Sequence, residues 1–195
     1  MTIGKGREWG VAVPRPNDLV VAESDRALAR LVAERESGSF AVMDGDVHRS
    51  LGAGRDREMM QRLPMDLLRV RLDRTDHVAV AHVVARGSWW RGSLLAVMNV
   101  DHLRRWNVAP RAHPNDGRFD VVEVSSAMRL RDRLHARSRL GQGTHVPHPE
   151  IAMTTATSMF RDFARPRRVW IDGMLAGRAE HLEIEIEPDA YVLHV

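Results

Sequence analysis

The chain contains no cysteine, and only one lysine (Lys5) and one tyrosine (Tyr191); aromatic residues make up 5% of its 195 residues. Without cysteine there are no disulfides, no thiolate nucleophile and no zinc–thiolate site, a composition that suits a reducing cytoplasm. No apolar run nears the roughly 20 residues needed to cross a bilayer, and the N-terminus lacks the layout of a secretory signal. A cytoplasmic protein is therefore expected, with peripheral contact at a membrane left open. The basic residues are almost all arginine, whose planar fork suits phosphate and other oxyanions. Yet 26 acidic residues reduce the net charge to +3, and with so few aromatics this argues against a dedicated nucleic-acid binder. At 44% hydrophobic and 28% charged, the chain can bury a core as one or two small domains.

What the sequence does contain is organised around one stretch, Ala109-Pro110-Arg111-Ala112-His113-Pro114-Asn115-Asp116-Gly117-Arg118-Phe119-Asp120. Pro110 and Pro114 fix φ and push the residues before them toward extended conformations. Asn115-Asp116-Gly117 then supplies a tight turn. Apolar segments on either side, Leu94 to Val100 and Phe119 to Val124, make this a stiff arm joining two strands.

The first 17 residues are rich in glycine and proline and predict an irregular lead-in with a short strand near Val11 to Val13. Leu19 to Ala22 reads as a buried strand. Ser24 caps a helix whose Leu28, Leu31 and Val32 share a face, and Ser39 to Met43 reads as the next strand. A short helix is expected around Arg57 to Arg62, ending before Pro64, followed by a strand in which Leu68, Val70 and Leu72 alternate with Arg69 and Arg71.

From there the pattern is mainly β. His77 to Val84 reads as one sandwich-core strand, and Trp89-Trp90 as buried aromatics or the lip of an apolar pocket. One helix interrupts the strands. Ser125 or Ser126 is expected to cap it, Leu130 and Leu134 to mark its buried face, and Gly141 to stop it. Its arginines (129, 131, 133, 137 and 139) form a solvated face or a surface for an anionic membrane or partner. His145 and His148 are bonded polar residues or, less simply, metal ligands. Ile151 to Thr155 alternates as a strand, Val169 to Gly173 reads as a strand running into a hairpin turn, and Leu182, Ile184 and Ile186 point inward against Glu183, Glu185 and Glu187. Tyr191 to Val195 is a final strand.

Four segments resemble, in their order along the chain, the diacylglycerol kinase catalytic family of bacterial lipid kinases, related to sphingosine kinases and more distantly to NAD kinases. The arm is similar to that family's Ala-Pro-x-Ala-x-x-x-Asp-Gly segment. Asp172-Gly173-Met174 is similar to its Asp-Gly-Glu motif, with methionine in place of glutamate. Glu23-Ser24-Asp25-Arg26-Ala27 stands where the family carries Gly-Gly-Asp-Gly-Thr, and only the aspartate matches. Asp44-Gly45-Asp46-Val47-His48-Arg49-Ser50-Leu51-Gly52 resembles Gly-Thr-Gly-Asn-Asp-x-Ala-Arg-x-Leu-Gly through Asp46, Arg49, Leu51 and Gly52.

The resemblance implies an α+β chain, with a small α/β remnant of a nucleotide-binding domain over residues 1–65 and a mostly antiparallel β-sandwich domain over 66–195. It implies Asp172 as the general base for a lipid hydroxyl, Asp25, Arg26 and Asp46 facing ATP, and a structural magnesium held by Asp116 with carbonyls near His113 and Arg118. Side chains now stand where glycines should admit phosphates. The implied function is thus a lipid kinase or, alternatively, a non-catalytic relative that binds a lipid or protein partner. A shortened nucleotide domain exposes sheet edges, so a homodimer is expected.

Overall fold

A computed structural model describes residues 9–34, 38–52 and 58–195. The chain opens with β1 (Val11–Pro14) and β2 (Val20–Ala22), then helix α1 (Asp25–Glu34), β3 (Ser39–Val42) and the short helix α2 (Asp46–Leu51). Strands β4 (Met59–Leu72), β5 (Thr75–Ala79), β6 (His82–Arg86) and β7 (Leu94–Met98) follow. A small hairpin, β8 (His102–Leu103) and β9 (Trp106–Asn107), precedes the arm and β10 (Phe119–Val124). Helix α3 (Leu130–Arg139), β11 (Ile151–Ala156), β12 (Ser158–Ile171) and β13 (Met174–His194) complete the chain.

The strands form a largely antiparallel sheet in the order β1-β4-β13-β12-β6-β7-β10-β11, with β3 parallel to the end of β13 and β2 parallel to β3. The sheet folds over itself into a β-sandwich, so that Leu68, Val70 and Ile184 meet Val97, Phe119 and Val121 across a dry core. Strand β13 shows the period of two behind this layering: Leu182, Ile184 and Ile186 are buried while Glu183 and Glu185 face water. The exposed charges pair across the surface, Arg69 with Glu187 at 2.5 Å and Arg71 with Asp76 at 2.8 Å. A second core lies under α1, where Leu28 and Val32 pack with Phe40, Met65 and Leu193. A third lies between Val84, Ala96, Val122 and Val108.

Four local expectations are corrected. Residues 59–62 extend β4 instead of forming a helix (53–57 lie outside the described residues), because they pair with β1 on one side and with the end of β13 on the other. Pro64 is tolerated mid-strand because, among the described residues, one flank of β4 has no strand partner between Arg62 and Leu68. The run His77 to Val84 is broken into β5 and β6 at Val80-Ala81, whose backbone amides are drawn to Asp172. Helix α3 starts four to five residues after the serines, and Gly143 (φ 65°), not Gly141, takes the left-handed position after its last turn. Finally, α3 buries Arg133 and leaves Leu130 and Leu134 about half exposed.

Candidate functional site

Ser24 caps α1, its hydroxyl accepting the Ala27 amide at 3.3 Å. Asp25, the first residue of that helix, turns its carboxylate across to the start of α2, accepting the amides of Asp46 (2.5 Å) and Val47 (3.2 Å). The first amides of a helix have no internal partners and carry partial positive charge, so a carboxylate is a natural occupant. Gly45 makes this approach possible: at φ 128°, a Cβ there would overlap the Asp25 carboxylate. Burial pushes the Asp25 carboxyl up to about 7, opposed by the Asp46 amide and reinforced by the charges of Asp172 and Asp46.

Asp46 accepts the Arg104 amide at 2.6 Å and the Arg49 guanidinium at 3.0 Å, and lies 3.6 Å from Nδ1 of His82. His82 is 1% exposed, and neither ring nitrogen has a hydrogen-bond partner. Burial holds its imidazole below the ordinary range against the pull of Asp172 and Asp46, which favours the neutral ring. Asp172 sits at φ 45° in the β12–β13 hairpin, before Gly173 at φ 79°. Its carboxylate points inward and accepts the amides of Val80 (3.0 Å), Ala81 (2.9 Å) and His82 (3.0 Å). Burial raises its pKa, while His82 and those amides oppose the rise. The buried Tyr191 hydroxyl, also without a partner, titrates well above its usual range because of burial and the charges of Asp172, Asp25 and Asp66.

Asp25, Asp46 and Asp172, singled out in three separate motifs, therefore meet in one cluster, with His82 beside Asp46 and Asp172. Arg26 does not join them; it lines a neighbouring groove of about 950 Å³ with Arg30, His77 and Met174.

The Asp25 shift makes a testable statement about stability. A carboxyl whose folded pKa exceeds its unfolded value contributes stability at low pH that is lost as pH rises, here from about 4 through about 7. Asp25→Asn should flatten this segment of the stability–pH curve, the two proteins diverging by up to about 4 kcal/mol between pH 4 and 8. Urea denaturation across that range checks it; parallel curves would remove the claim that Asp25 titrates near neutrality.

A second feature is an apolar cavity of about 320 Å³ between α3 and the sheet, walled by Val84, Ala96, Leu103, Val122, Trp106 and Ala136. Trp89 and Trp90, 37% and 41% exposed, both line it and reach solvent, so they form its lip and not core. His145, 4% exposed, also lines it. His148 is remote in role: its Nδ1 accepts the Glu150 amide at 3.1 Å. Among the described residues no group of three or more histidines and carboxylates is arranged to hold a metal ion.

The arm lies on β4. Asp116 is half-buried and accepts the Arg118 amide at 3.0 Å, and burial raises its pKa. His113 accepts the Asn115 amide at 3.3 Å and packs edge-on against Trp9. The residue that holds the arm is Asp66, fully buried, whose carboxylate accepts the amides of Gly117 (2.7 Å) and Asp189 (2.9 Å).

Sequence reasoning missed His82, Asp66, Arg133 and Tyr191. Asp66 was visible as a lone acid within the apolar stretch Leu63 to Leu72, and His82 as a lone polar residue within Val78 to Val84.

A β-sandwich whose seam with a small helical unit gathers carboxylates defines a protein of the lipid kinase and NAD kinase type of fold. The chain belongs to the family of the YegS C-terminal NAD kinase beta sandwich-like domain, whose model matches residues 74–195, more than half of its length. Among solved structures it is similar to a diacylglycerol kinase from Bacillus anthracis str. Sterne, with a TM-score of 0.64, 14% identity, and coverage of 90% of this chain and 75% of the other. Two structures of a candidate diacylglycerol kinase from the same organism give TM-scores of 0.69 and 0.68 at 14% and 13% identity, each match covering 90% of this chain and 77% of the other. At these identities the likeness concerns the fold. A search of curated protein sequences gave no significant match. No helix among the described residues is long and apolar enough to cross a membrane.

Proposed function

We propose that the protein binds a lipid of the kind lipid kinases act on, with one alkyl chain in the tryptophan-lipped cavity and the polar head toward the Asp25–Asp46–His82–Asp172 cluster. One observation carries this reading: cavity and cluster share walls. On β6, His82 faces the cluster and Val84 the cavity, two residues and roughly 7 Å apart on the same face of the strand. In the β8–β9 hairpin, Leu103 lines the cavity while the next amide, that of Arg104, binds Asp46. Cavity and cluster thus adjoin through β6 and the β8–β9 hairpin, which suits the tail and head of one amphiphile. A volume of about 320 Å³ is at the low end for ligand sites and suits one chain better than two.

Phosphoryl transfer to the lipid hydroxyl is the second reading, favoured by the convergence of Asp25, Asp46 and Asp172, with Asp172 as base. The residues fit a nucleotide polyphosphate poorly. Asp25 already fills the anion site at the start of α2, and two more carboxylates stand beside it. Lipid binding therefore comes first. A magnesium ion on the arm belongs to the same proposal: Asp116 and carbonyls near His113 and Arg118 would hold it, and the buried Asn115 Oδ1, which has no hydrogen-bond partner, supports a hard cation there.

The test is binding of a fluorescent fatty-acyl probe to the full chain. Saturable binding is expected, weakened at least about tenfold by Ala136→Phe, which fills the cavity from α3, while the melting temperature holds. A parent protein that binds no acyl probe would sink the proposal. A saturable thermal shift with Mg-ATP, together with a phosphorylated lipid product, would move the second reading to first.

A further inference from the structure

We infer that the face made by α3 and the Trp89–Gly92 turn docks on an anionic lipid bilayer. A surface helix ordinarily buries its leucines and exposes its arginines. Helix α3 does the reverse: Arg133 is 6% exposed, while Leu130 and Leu134, one turn apart, are 54% and 48% exposed. This inversion is held in place. The Arg133 guanidinium donates to the carbonyls of Met128 (3.1 Å), Ser125 (2.9 Å), Trp89 (3.3 Å) and Gly92 (2.5 Å), clamping the helix to the tryptophan turn as one unit. Trp89, Trp90, Leu130 and Leu134 are thus exposed on the two segments that this clamp joins.

The charge around them identifies the partner. Arg129, Arg131, Arg137 and Arg139 lie on or beside α3 and Arg91 in the turn, against the single acid Asp132. The Arg137 guanidinium lies 5.2 Å from the Trp90 ring and 5.5 Å from that of Trp106. Exposed tryptophans and leucines ringed by arginines match a bilayer interface, where indole rings sit at headgroup level and basic residues are drawn to an anionic leaflet. A protein partner would match the apolar patch equally well but not the second feature of this face. Trp89, Trp90 and Arg137 are also the solvent-exposed rim of the cavity, so the cavity opens where the bilayer would lie. The docking inference extends the lipid-binding reading by naming the source of the chain: the membrane itself.

Co-sedimentation with vesicles tests it, using phosphatidylcholine alone and phosphatidylcholine mixed with phosphatidylglycerol. The full chain should partition onto the mixed vesicles at least about tenfold more strongly than onto neutral ones, with a blue shift of tryptophan emission and weakening in high salt. The exposed pair Leu130→Ser/Leu134→Ser should cut partitioning about tenfold or more at an unchanged melting temperature, and so should Arg131→Glu/Arg139→Glu. Ala136→Phe should leave vesicle binding intact while weakening uptake of the acyl probe at least about tenfold, which separates failure of docking from failure of the cavity reading. Equal partitioning of parent and leucine variant, or no binding to anionic vesicles, would overturn the inference. So would sedimentation as a dimer that the leucine variant dissolves, since a second copy would then cover the face.

Discussion

Asp172→Ala is expected to cost the protein about 3–5 kcal/mol, enough to lower its melting temperature by about 10 °C. The carboxylate satisfies three amides at Val80, Ala81 and His82, where the chain crosses from β5 into β6. Each buried amide left without a partner costs about 1–3 kcal/mol. Relief from burying the carboxylate offsets part of this, which keeps the net figure below the sum. Asp172→Asn retains one acceptor oxygen and should lose less. Urea denaturation of the three proteins measures the difference, and an alanine variant as stable as the parent would show that the amides find water instead. The result also bears on chemistry. Oδ1 holds two amides and Oδ2 one, so any proton transfer by Asp172 falls to Oδ2, and an asparagine variant that folds well but transfers nothing would isolate that role.

The same carboxylate explains where reading the sequence stopped short. The run His77 to Val84 has the apolar, β-branched composition of one buried strand, and nothing local marks the break at Val80. The cause is Asp172, about 90 residues away in sequence. Helix α3 failed for a related reason. Periodicity assigns leucines to the core, but four carbonyls at Ser125, Met128, Trp89 and Gly92 needed a donor, and one buried guanidinium answers all of them. Elements whose partners are near in sequence were legible: the Ser24 cap, the Asp172-Gly173 hairpin and the alternation in Leu182 to Glu187 all appear where the residues put them. Helix α2, at six residues, is too short for periodicity to declare it. The convergence of Asp25, Asp46 and Asp172 was legible only through the order of three motifs, and His82 between them was not.

Asp66→Ala should lose a comparable amount, about 3–5 kcal/mol, and with it the seating of the arm. Asp66 joins three distant segments. Its carboxylate takes the Gly117 amide at 2.7 Å, the Asp189 amide at 2.9 Å and the Asn115 side-chain amide at 3.4 Å, while its own amide donates to the Pro114 carbonyl at 2.8 Å. Asp189, at φ 52°, lies where the register of β13 against β4 shifts between Glu187 and Tyr191, and its amide donates to the Asp66 carboxylate. Asp116→Ala differs in kind. That carboxylate is half-exposed and closes only a local turn on Arg118, so in chelator the variant should stay within about 1 kcal/mol of the parent. If magnesium occupies the arm, the parent alone should gain stability when the ion is added, and Asp116→Ala should not. Melting curves of parent and both variants, in chelator and in magnesium, separate the two roles. Asp66→Ala should fall in both conditions, because its work is done by backbone amides. If it instead melts with the parent, the arm is held by its prolines and core contacts, and the reading of Asp66 as its anchor fails.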